Sequence, residues 1–245
     1  MNLIIDIGNT KTKISVYHRQ KKEESEILLT KNIDKIYPVL SKYRKRGIEK
    51  AIFSSVANTP ADLPIYLNQE FKLFIELSAQ TKIPIQNRYK SASLGRDRLA
   101  AIVGAYNIFP KSNVLVVDAG TALTFDLLNE KGEYVGGNIS LGMTMRYKAL
   151  NSFTDKLPLL EQKDEFVFLA DNTNDAIISG VQNGLIFEVE KYIEKLHQTY
   201  TGLKVILTGG DSIFFDNKLK NTIFVEPFLV EIGLNTILEY NDNNN

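Results

Sequence analysis

The chain has 245 residues, 44% of them hydrophobic, with 29 lysines and arginines against 29 aspartates and glutamates. That length can bury one large core or two joined smaller ones, and the balanced charge provides no global field to recruit nucleic acid or an anionic membrane. The absence of cysteine excludes disulfides, thiolate metal sites and cysteine nucleophiles, and neither His18 nor His197 has a second ligand at metal-binding spacing.

Taken in order, "NLIIDIGN", "KTKISVYH" and "ESEILLT" alternate apolar and polar residues at spacings that predict an antiparallel meander of three strands. The N-terminus enters the first strand without a basic leader, and no run of about 18 apolar residues follows, so a cytoplasmic protein is expected. Next, "NIDKIYPVLSKYRKRG" sets Ile33, Ile36, Val39, Leu40 and Tyr43 at helical spacing, with Asn32 or Asp34 as the cap and Gly47 as the stop. Pro38 weakens that helix, and its basic end reads as a solvated terminus. A strand "KAIFSSV", a short helix around Pro64 to Phe71 and a strand "LFIEL" then alternate. In "DRLAAIVGAYNIF", Leu99, Ile102, Val103 and Tyr106 form a core face.

The second half begins again. "NVLVVDAGTALTFDLLNEKG" repeats the plan of "MNLIIDIGNTKTKISVYHRQ", and Asp118 stands 112 positions after Asp6, as Gly120 does after Gly8. Later, "KVILTGGDS" takes the place of "KAIFSSVAN". Two similar α/β lobes with a cleft between them follow, divided near residue 112, where Pro110 and polar neighbours break the helix. The tail "YNDNNN" is too polar to pack and is expected to fray.

The turn after the first strand crowds a carboxylate, a glycine, an amide, hydroxyls and ammonium groups. In "DIGNTKTK", Gly8 lets backbone approach a phosphate, Asn9, Thr10 and Thr12 supply short hydrogen-bonding groups, and Lys11 and Lys13 supply charge. Asp6 would repel phosphate, so its use is to hold Mg²⁺, directly or through water. A hairpin turn with solvated lysines satisfies the same string; two copies, plus the glycines of "TGGDS", favour nucleotide binding. In "GGNISLGMTMRYKAL", Gly136, Gly137 and Gly142 permit unusual backbone angles, and Met143, Met145, Tyr147 and Leu150 suit a pocket wall or a dimer face. Phe214 and Phe215 suit a core or an interface.

The ordered set "DIGNTKTK", "LGRDR", "DAGTALTFD", "GGNISLG" and "TGGD", together with "NRYKSASLGRDR", resembles the type III pantothenate kinases across nearly the whole chain. Membership of that family implies the acetate kinase, sugar kinase, Hsc70 and actin superfamily, with two duplicated ribonuclease-H-like lobes, here 1–112 and 113–245, closing an actin-like ATPase fold over ATP. It implies phosphorylation of pantothenate to 4'-phosphopantothenate, the first step toward coenzyme A. By the same resemblance, Asp6, Ile7, Gly8, Asn9, Thr10, Lys11, Thr12 and Lys13 form the first phosphate loop, and Thr121 contacts ATP. Gly95, Arg96, Asp97 and Arg98 hold pantothenate, with Asp97 as proton acceptor, and Tyr89 and Thr173 touch the substrate, Thr173 near a homodimer contact. Asp118 is the ligand of a monovalent cation, K⁺ or NH₄⁺. Leu141 and "KSAS" stand where the family commonly has proline, which bears on loop shape.

The chemistry agrees with that assignment. Phosphoryl transfer needs positioning, charge neutralisation and a carboxylate to accept the hydroxyl proton. Arg98 could pair with the pantothenate carboxylate; residues 96 and 98 do not share a helix face, so Arg96 need not join it. A kinase of the same superfamily for another acceptor, such as a sugar, and a non-enzymatic transcription accessory factor are the competing readings. "LGRDR" with Tyr89 and Thr173 argues against the first, and the intact Asp6, Asp97, Asp118 and Thr121 against the second.

Overall fold

The computed structural model describes residues 1–91 and 93–243, and its contacts divide the chain into two compact units. The first comprises residues 1–110, 132–134 and 228–243; the second, residues 111–131 and 135–227. This differs from a single cut after residue 112, because the C-terminal helix returns to the first unit.

In the first unit, β1 (Asn2–Ile7), β2 (Lys11–His18) and β3 (Lys21–Leu29) form the expected meander. β4 (Lys50–Ser55) and β5 (Leu73–Glu76) complete a sheet of order β3-β2-β1-β4-β5. β1 pairs antiparallel with β2, setting Asp6 opposite Lys13, and parallel with β4, setting Asp6 beside Ser54. β3 is the edge strand, and its lysines and glutamates discourage pairing with another chain.

Leu3, Ile5, Ile7, Ile14, Val16, Ala51 and Phe53 on one sheet face pack with α1 (Ile36–Lys45) and α2 (Leu63–Glu70). Ile36, Leu40 and Tyr43 of α1 are fully buried there, and truncating Leu40 to alanine should destabilise the fold by about 2–5 kcal/mol. α1 follows a 3-10 turn over Thr30–Lys35, so neither Asn32 nor Asp34 caps it. Pro38 is tolerated because it lies in the first turn, where backbone N–H groups have no intrahelical acceptor. The other face carries α3 (Arg96–Ile108) and α6 (Leu229–Asp242). α3 is buried on nearly every side rather than along one stripe. It packs closely on α6 because Gly233 has no side chain: a Cβ there would lie 1.8 Å from the Ala100 carbonyl oxygen. α6 extends through part of the tail expected to fray, with the Asn241 amide donating to the Lys82 carbonyl at 2.9 Å and Asp242 paired with Lys50. Residues 244 and 245 lie outside the described residues.

In the second unit, β7 (Val114–Ala119) and β8 (Ala122–Leu128) form a hairpin. β9 (Glu133–Leu141), β10 (Lys204–Thr208) and β11 (Phe224–Val225) complete the order β11-β10-β7-β8-β9. Residues 133 and 134 of β9 belong to the first unit, where they pair in parallel with β6 (Gln86–Asn87). α4 (Met143–Ser152) and α5 (Thr173–His197) bury Met143, Tyr147, Ile178, Leu185 and Val189 against Leu115, Val117 and Phe125. Phe214 and Phe215 belong to this core. Tyr147 donates to the Gln182 side chain at 3.0 Å, and burial pushes its hydroxyl up to about 12, so it stays protonated. Among the described residues, no helix is long and apolar enough to cross a membrane.

The repeat read from the sequence is physical within each unit. β1 and β7 have the same burial pattern, each pairs antiparallel with its successor, and each pairs parallel with a later strand, β4 or β10. At the hairpin turns Gly8 N–H donates to the Lys11 carbonyl at 3.0 Å, and Gly120 N–H to the Ala122 carbonyl at 3.1 Å.

Candidate active site

The first turn divides its polar side chains between two directions. Asn9, Thr10 and Lys11 are exposed and Asp6 is half-buried, as the end of a strand presenting a ligand requires. Ile7 is fully buried in the core. Thr12 points inward: its hydroxyl lies 3.1 Å from that of Thr30, which donates to the Gly8 carbonyl at 2.8 Å. Thr12 therefore braces the turn from beneath. From the sequence, Thr12 is expected as a phosphate contact; the signal that could have placed it inward is the strand period, by which Thr12 shares a face with Ile14 and Val16.

Lys13 lies on the opposite face of β2, toward α6. Its ammonium is 3.3 Å from a carboxylate oxygen of Glu231, whose side chain is 1% exposed. Burial pushes the Glu231 carboxyl above its ordinary range, with the Lys13 ammonium pulling against it. Nothing in the sequence pointed to Glu231, which sits in an apolar helix far from any motif.

A cavity of about 600 Å³ in the same unit is lined by residues that include Asn9, Ser55, Asn58, Thr59, Glu76 and Arg96. The structure thus brings Asn9 of the phosphate turn and Arg96 of "LGRDR" to one depression. The contribution of Ser55 to Thr59 was not foreseen, although "SSVAN" is the loop after a parallel strand, where α/β folds bind ligands. Arg96 pairs with Glu76 at 3.1 Å, both side chains partly exposed.

Arg98 faces inward, as the helical spacing demands, and is 6% exposed. Its guanidinium donates to the Tyr134 hydroxyl at 3.1 Å and stands 5.5 Å from the centroid of the Tyr89 ring. The Tyr89 and Tyr134 rings stack with centroids 5.8 Å apart and planes 5° from parallel. Tyr134 is the functional neighbour that sequence reasoning missed, for it reaches Arg98 only because residues 133 and 134 pair with β6. Asp97, one residue earlier, accepts from the Arg98 backbone N–H at 2.8 Å in the first turn of α3. Gly95 precedes the helix as its cap position, without a capping side chain. Of the "KSAS" stretch, Ala92 lies outside the described residues.

In the second unit, Asp118 is half-buried and Thr121 exposed at the β7–β8 turn. Gly209, with φ +92°, packs so tightly that a Cβ would lie 2.4 Å from both the Ala119 carbonyl and the Asp118 carboxylate. Gly142 packs as closely on the carbonyls of Gly120 and Thr121, whereas Gly136, with φ +142°, has open space where a Cβ would stand. These close packings concentrate oxygen atoms around the turn. Thr173 stands apart as the exposed first residue of α5, behind Asn172, whose side chain caps the helix by accepting from Asp175 N–H at 3.0 Å.

Among the described residues there is no group of three His, Cys, Asp or Glu able to hold a metal ion. Single carboxylates suit other ions. Nucleotide-bound Mg²⁺ keeps waters and phosphate oxygens and needs only one or two carboxylates, so Asp6 could serve there; a weakly hydrated monovalent cation accepts one carboxylate with carbonyls, and Asp118 is the carboxylate of the second turn.

Comparison with known proteins agrees in sequence and in fold. A sequence model described as type III pantothenate kinase matches residues 2–195. A type III pantothenate kinase of Phocaeicola vulgatus is 44% identical over 245 residues, covering 99% of each chain. Among solved structures, a Campylobacter jejuni protein described as of the Baf transcriptional activator family superposes with a TM-score of 0.66 at 21% identity, over 98% of this chain and 99% of that one. A glucokinase from an Antarctic psychrotroph gives a TM-score of 0.55 at 10% identity over 98% of each chain. At such identities the two structures share the fold alone, the duplicated α/β plan of the actin-like ATPases and sugar kinases. The match along most of the chain and the end-to-end relative, joined to turns that carry the motif residues, establish that this chain belongs to the type III pantothenate kinase family.

Proposed function

We propose that this protein uses ATP to phosphorylate pantothenate, giving 4'-phosphopantothenate and ADP in the first step toward coenzyme A. Beyond family membership, the observation that carries the reading is the arrangement at the start of α3: a carboxylate at Asp97 followed by a buried, pinned guanidinium at Arg98. Pantothenate has a hydroxyl to activate and a carboxylate to recognise, which are the two functions those residues offer.

In the reaction, Asp97 accepts the proton of the substrate hydroxyl as its oxygen bonds to the γ-phosphorus and the bond to the β–γ bridging oxygen breaks. Arg98 binds the substrate carboxylate, with Tyr134 and the face of Tyr89 fixing the guanidinium and Tyr89 also contacting the substrate. Gly95 and Arg96 complete that segment. Gly8, Asn9, Thr10, Lys11 and Lys13 hold phosphate, Ile7 and Thr12 support their turn from the core, and Thr121 contacts the nucleotide. Asp6 would hold Mg²⁺, directly or through water, and Asp118 a K⁺ or NH₄⁺ ion; when bound, the two ions neutralise the charge that gathers on the phosphates.

The protein acts as a cytoplasmic homodimer, and its balanced charge speaks against a nucleic-acid partner. Unusually exposed apolar side chains in the second unit support self-association: Phe153, Phe168, Leu169 and Phe187 are 50–88% exposed. Thr173, the first residue of α5, is assigned to a substrate contact near that interface by the family resemblance alone.

The deciding experiment follows ADP release with Mg²⁺ and K⁺ present, with pantothenate, with a panel of sugars, and with neither. ADP should form with pantothenate alone. ATP left unconsumed in its presence, or consumed with a sugar instead, would overturn the reading, and a fully active monomer by sedimentation would overturn the dimer.

A further inference from the structure

The cavity of about 600 Å³ lies wholly within the first unit, and part of its wall has no role in the reaction described above. Asn9 lines it from the phosphate turn, Asn58 and Thr59 from the loop between β4 and α2, and Glu76 and Arg96 from β5 and α3. The loop is held by its own bonds: the Ser55 hydroxyl donates to the Ala57 carbonyl at 2.8 Å and accepts from the Ala57 N–H at 3.2 Å. Arg96 Nη1 donates to Glu76 Oε1 at 3.1 Å, the single hydrogen bond its side chain makes among the described residues. The side chains of Asn9, Asn58 and Thr59 make none among the described residues, so their polar groups are left for a ligand or solvent.

Two amides, a hydroxyl and a guanidinium are donors suited to the oxygens of a phosphoryl or a carboxylate group. Placement decides between the two. Asn9 belongs to the turn read as the phosphate loop, and Arg96 directly precedes Asp97, the proton acceptor. The γ-phosphoryl passes from nucleotide to the hydroxyl activated at Asp97, so a depression that touches both the turn and the start of α3 lies on its path. The pantothenate carboxylate already has Arg98. Glu76 is the one carboxylate among the lining residues and would repel an anion; its bond to Arg96 neutralises it and holds the long side chain at the wall.

We propose that Asn9, Asn58, Thr59 and Arg96 form the subsite for the phosphoryl group in transfer, with Arg96 touching its oxygens and Glu76 positioning the guanidinium. Charge spreads over three oxygens as that group passes, and donors fixed in advance around it are what lower the barrier. The cavity is larger than a phosphoryl group, which leaves room for the hydroxymethyl end of the acceptor to enter beside it. This assignment rests on the reading of the protein as a pantothenate kinase.

The test uses the full chain and measures ADP release, Tm and calorimetric affinity for pantothenate and for 4'-phosphopantothenate, whose phosphate remains beside Asp97 and so reports on the subsite. Arg96→Gln should lower kcat by about 10²-fold and weaken 4'-phosphopantothenate by about tenfold or more, while pantothenate affinity stays within about twofold. The double variant Asn58→Ala/Thr59→Ala should show the same split, with kcat down by about tenfold. Adding Glu76→Gln to Arg96→Gln should restore part of the product affinity, because the uncovered carboxylate no longer repels phosphate. Arg96→Lys keeps the charge without the fork, and a loss of product affinity of about threefold with pantothenate unchanged serves if the glutamine variant does not fold. Equal weakening of both ligands would give the cavity to the body of the acceptor, and weakening of neither would place it outside the reaction. Either result overturns the subsite while ADP release by the unmodified protein still upholds the kinase reading. If the unmodified protein releases no ADP with pantothenate and binds no 4'-phosphopantothenate, both fall together.

Discussion

A Cβ on Gly95 would lie 2.6 Å from the Asp97 carboxylate, so the glycine keeps open the space in which that carboxylate accepts from the Arg98 backbone N–H. The obstructed atom is the end of a partly exposed side chain rather than backbone, so Asp97 can shift, at the cost of its bond to the Arg98 N–H. Gly95→Ala should therefore leave Tm nearly unchanged while lowering kcat by about tenfold or more, since a small misplacement of a reacting group is enough. Parallel melts and ADP-release assays would separate the two effects; a loss of both together would make Gly95 a folding residue.

Asp97→Asn tests the proton acceptor itself. The amide oxygen can still accept from Arg98 N–H, so the start of α3 should persist, but it cannot take a proton from the substrate. Turnover should fall by about 10²- to 10⁴-fold, with ATP-analogue binding retained. Near-normal turnover would move the base to another carboxylate, Asp6 being the first to examine.

Asp118 and the triphosphate would repel in a partly desolvated site unless a cation stood between them. Activity should rise steeply with K⁺ at constant ionic strength, and Asp118→Asn should weaken that response and apparent ATP binding together. Equal rates in K⁺, Na⁺ and a bulky organic cation would leave Asp118 as a turn residue.

Gly209 supports that turn through its backbone, with φ at +92° and the Ala119 carbonyl in the way of any side chain. Here the obstruction is main chain and cannot swing aside. Gly209→Ala should destabilise the protein by at least about 2 kcal/mol, adding a strained backbone angle to a clash. Denaturant melts would reveal it, and an unchanged midpoint would contradict the close packing.

Glu231 also has a pH signature. Its folded carboxyl is raised above the ordinary value of 4.5 by burial, against the pull of Lys13 and Lys22. The folded chain thus holds this proton more tightly than the unfolded chain. The resulting stability is complete below the unfolded value and is lost as pH rises through the folded one. Glu231→Gln removes the titration, so the Tm difference should shift in favour of the variant as pH climbs from about 4.5 toward neutrality. A difference that stays constant with pH would mean that Glu231 titrates as it does in the unfolded chain.

The amino-acid sequence alone determined the early strands and helices, up to α3, and the repeated turn. Alternation along β1 to β3 and the shared Asp-x-Gly at 6–8 and 118–120 are local patterns, and a strand buries whichever face its period assigns. That same period assigned Thr12 to the core, where it braces the turn, although its place within "DIGNTKTK" suggested a ligand. Only the tertiary structure decided which distant residues meet. Arg98 and Tyr134 are 36 positions apart and Lys13 and Glu231 are 218 apart, and neither pair has a spacing that secondary structure would read. The return of α6 to the first unit was equally hidden: "LVEIGLNTILEY" announces an apolar helix, but an apolar face carries no address. Its destination follows from the glycines that let it press against α3 and from the asparagine that ties it to β1, contacts that exist only once the chain has folded.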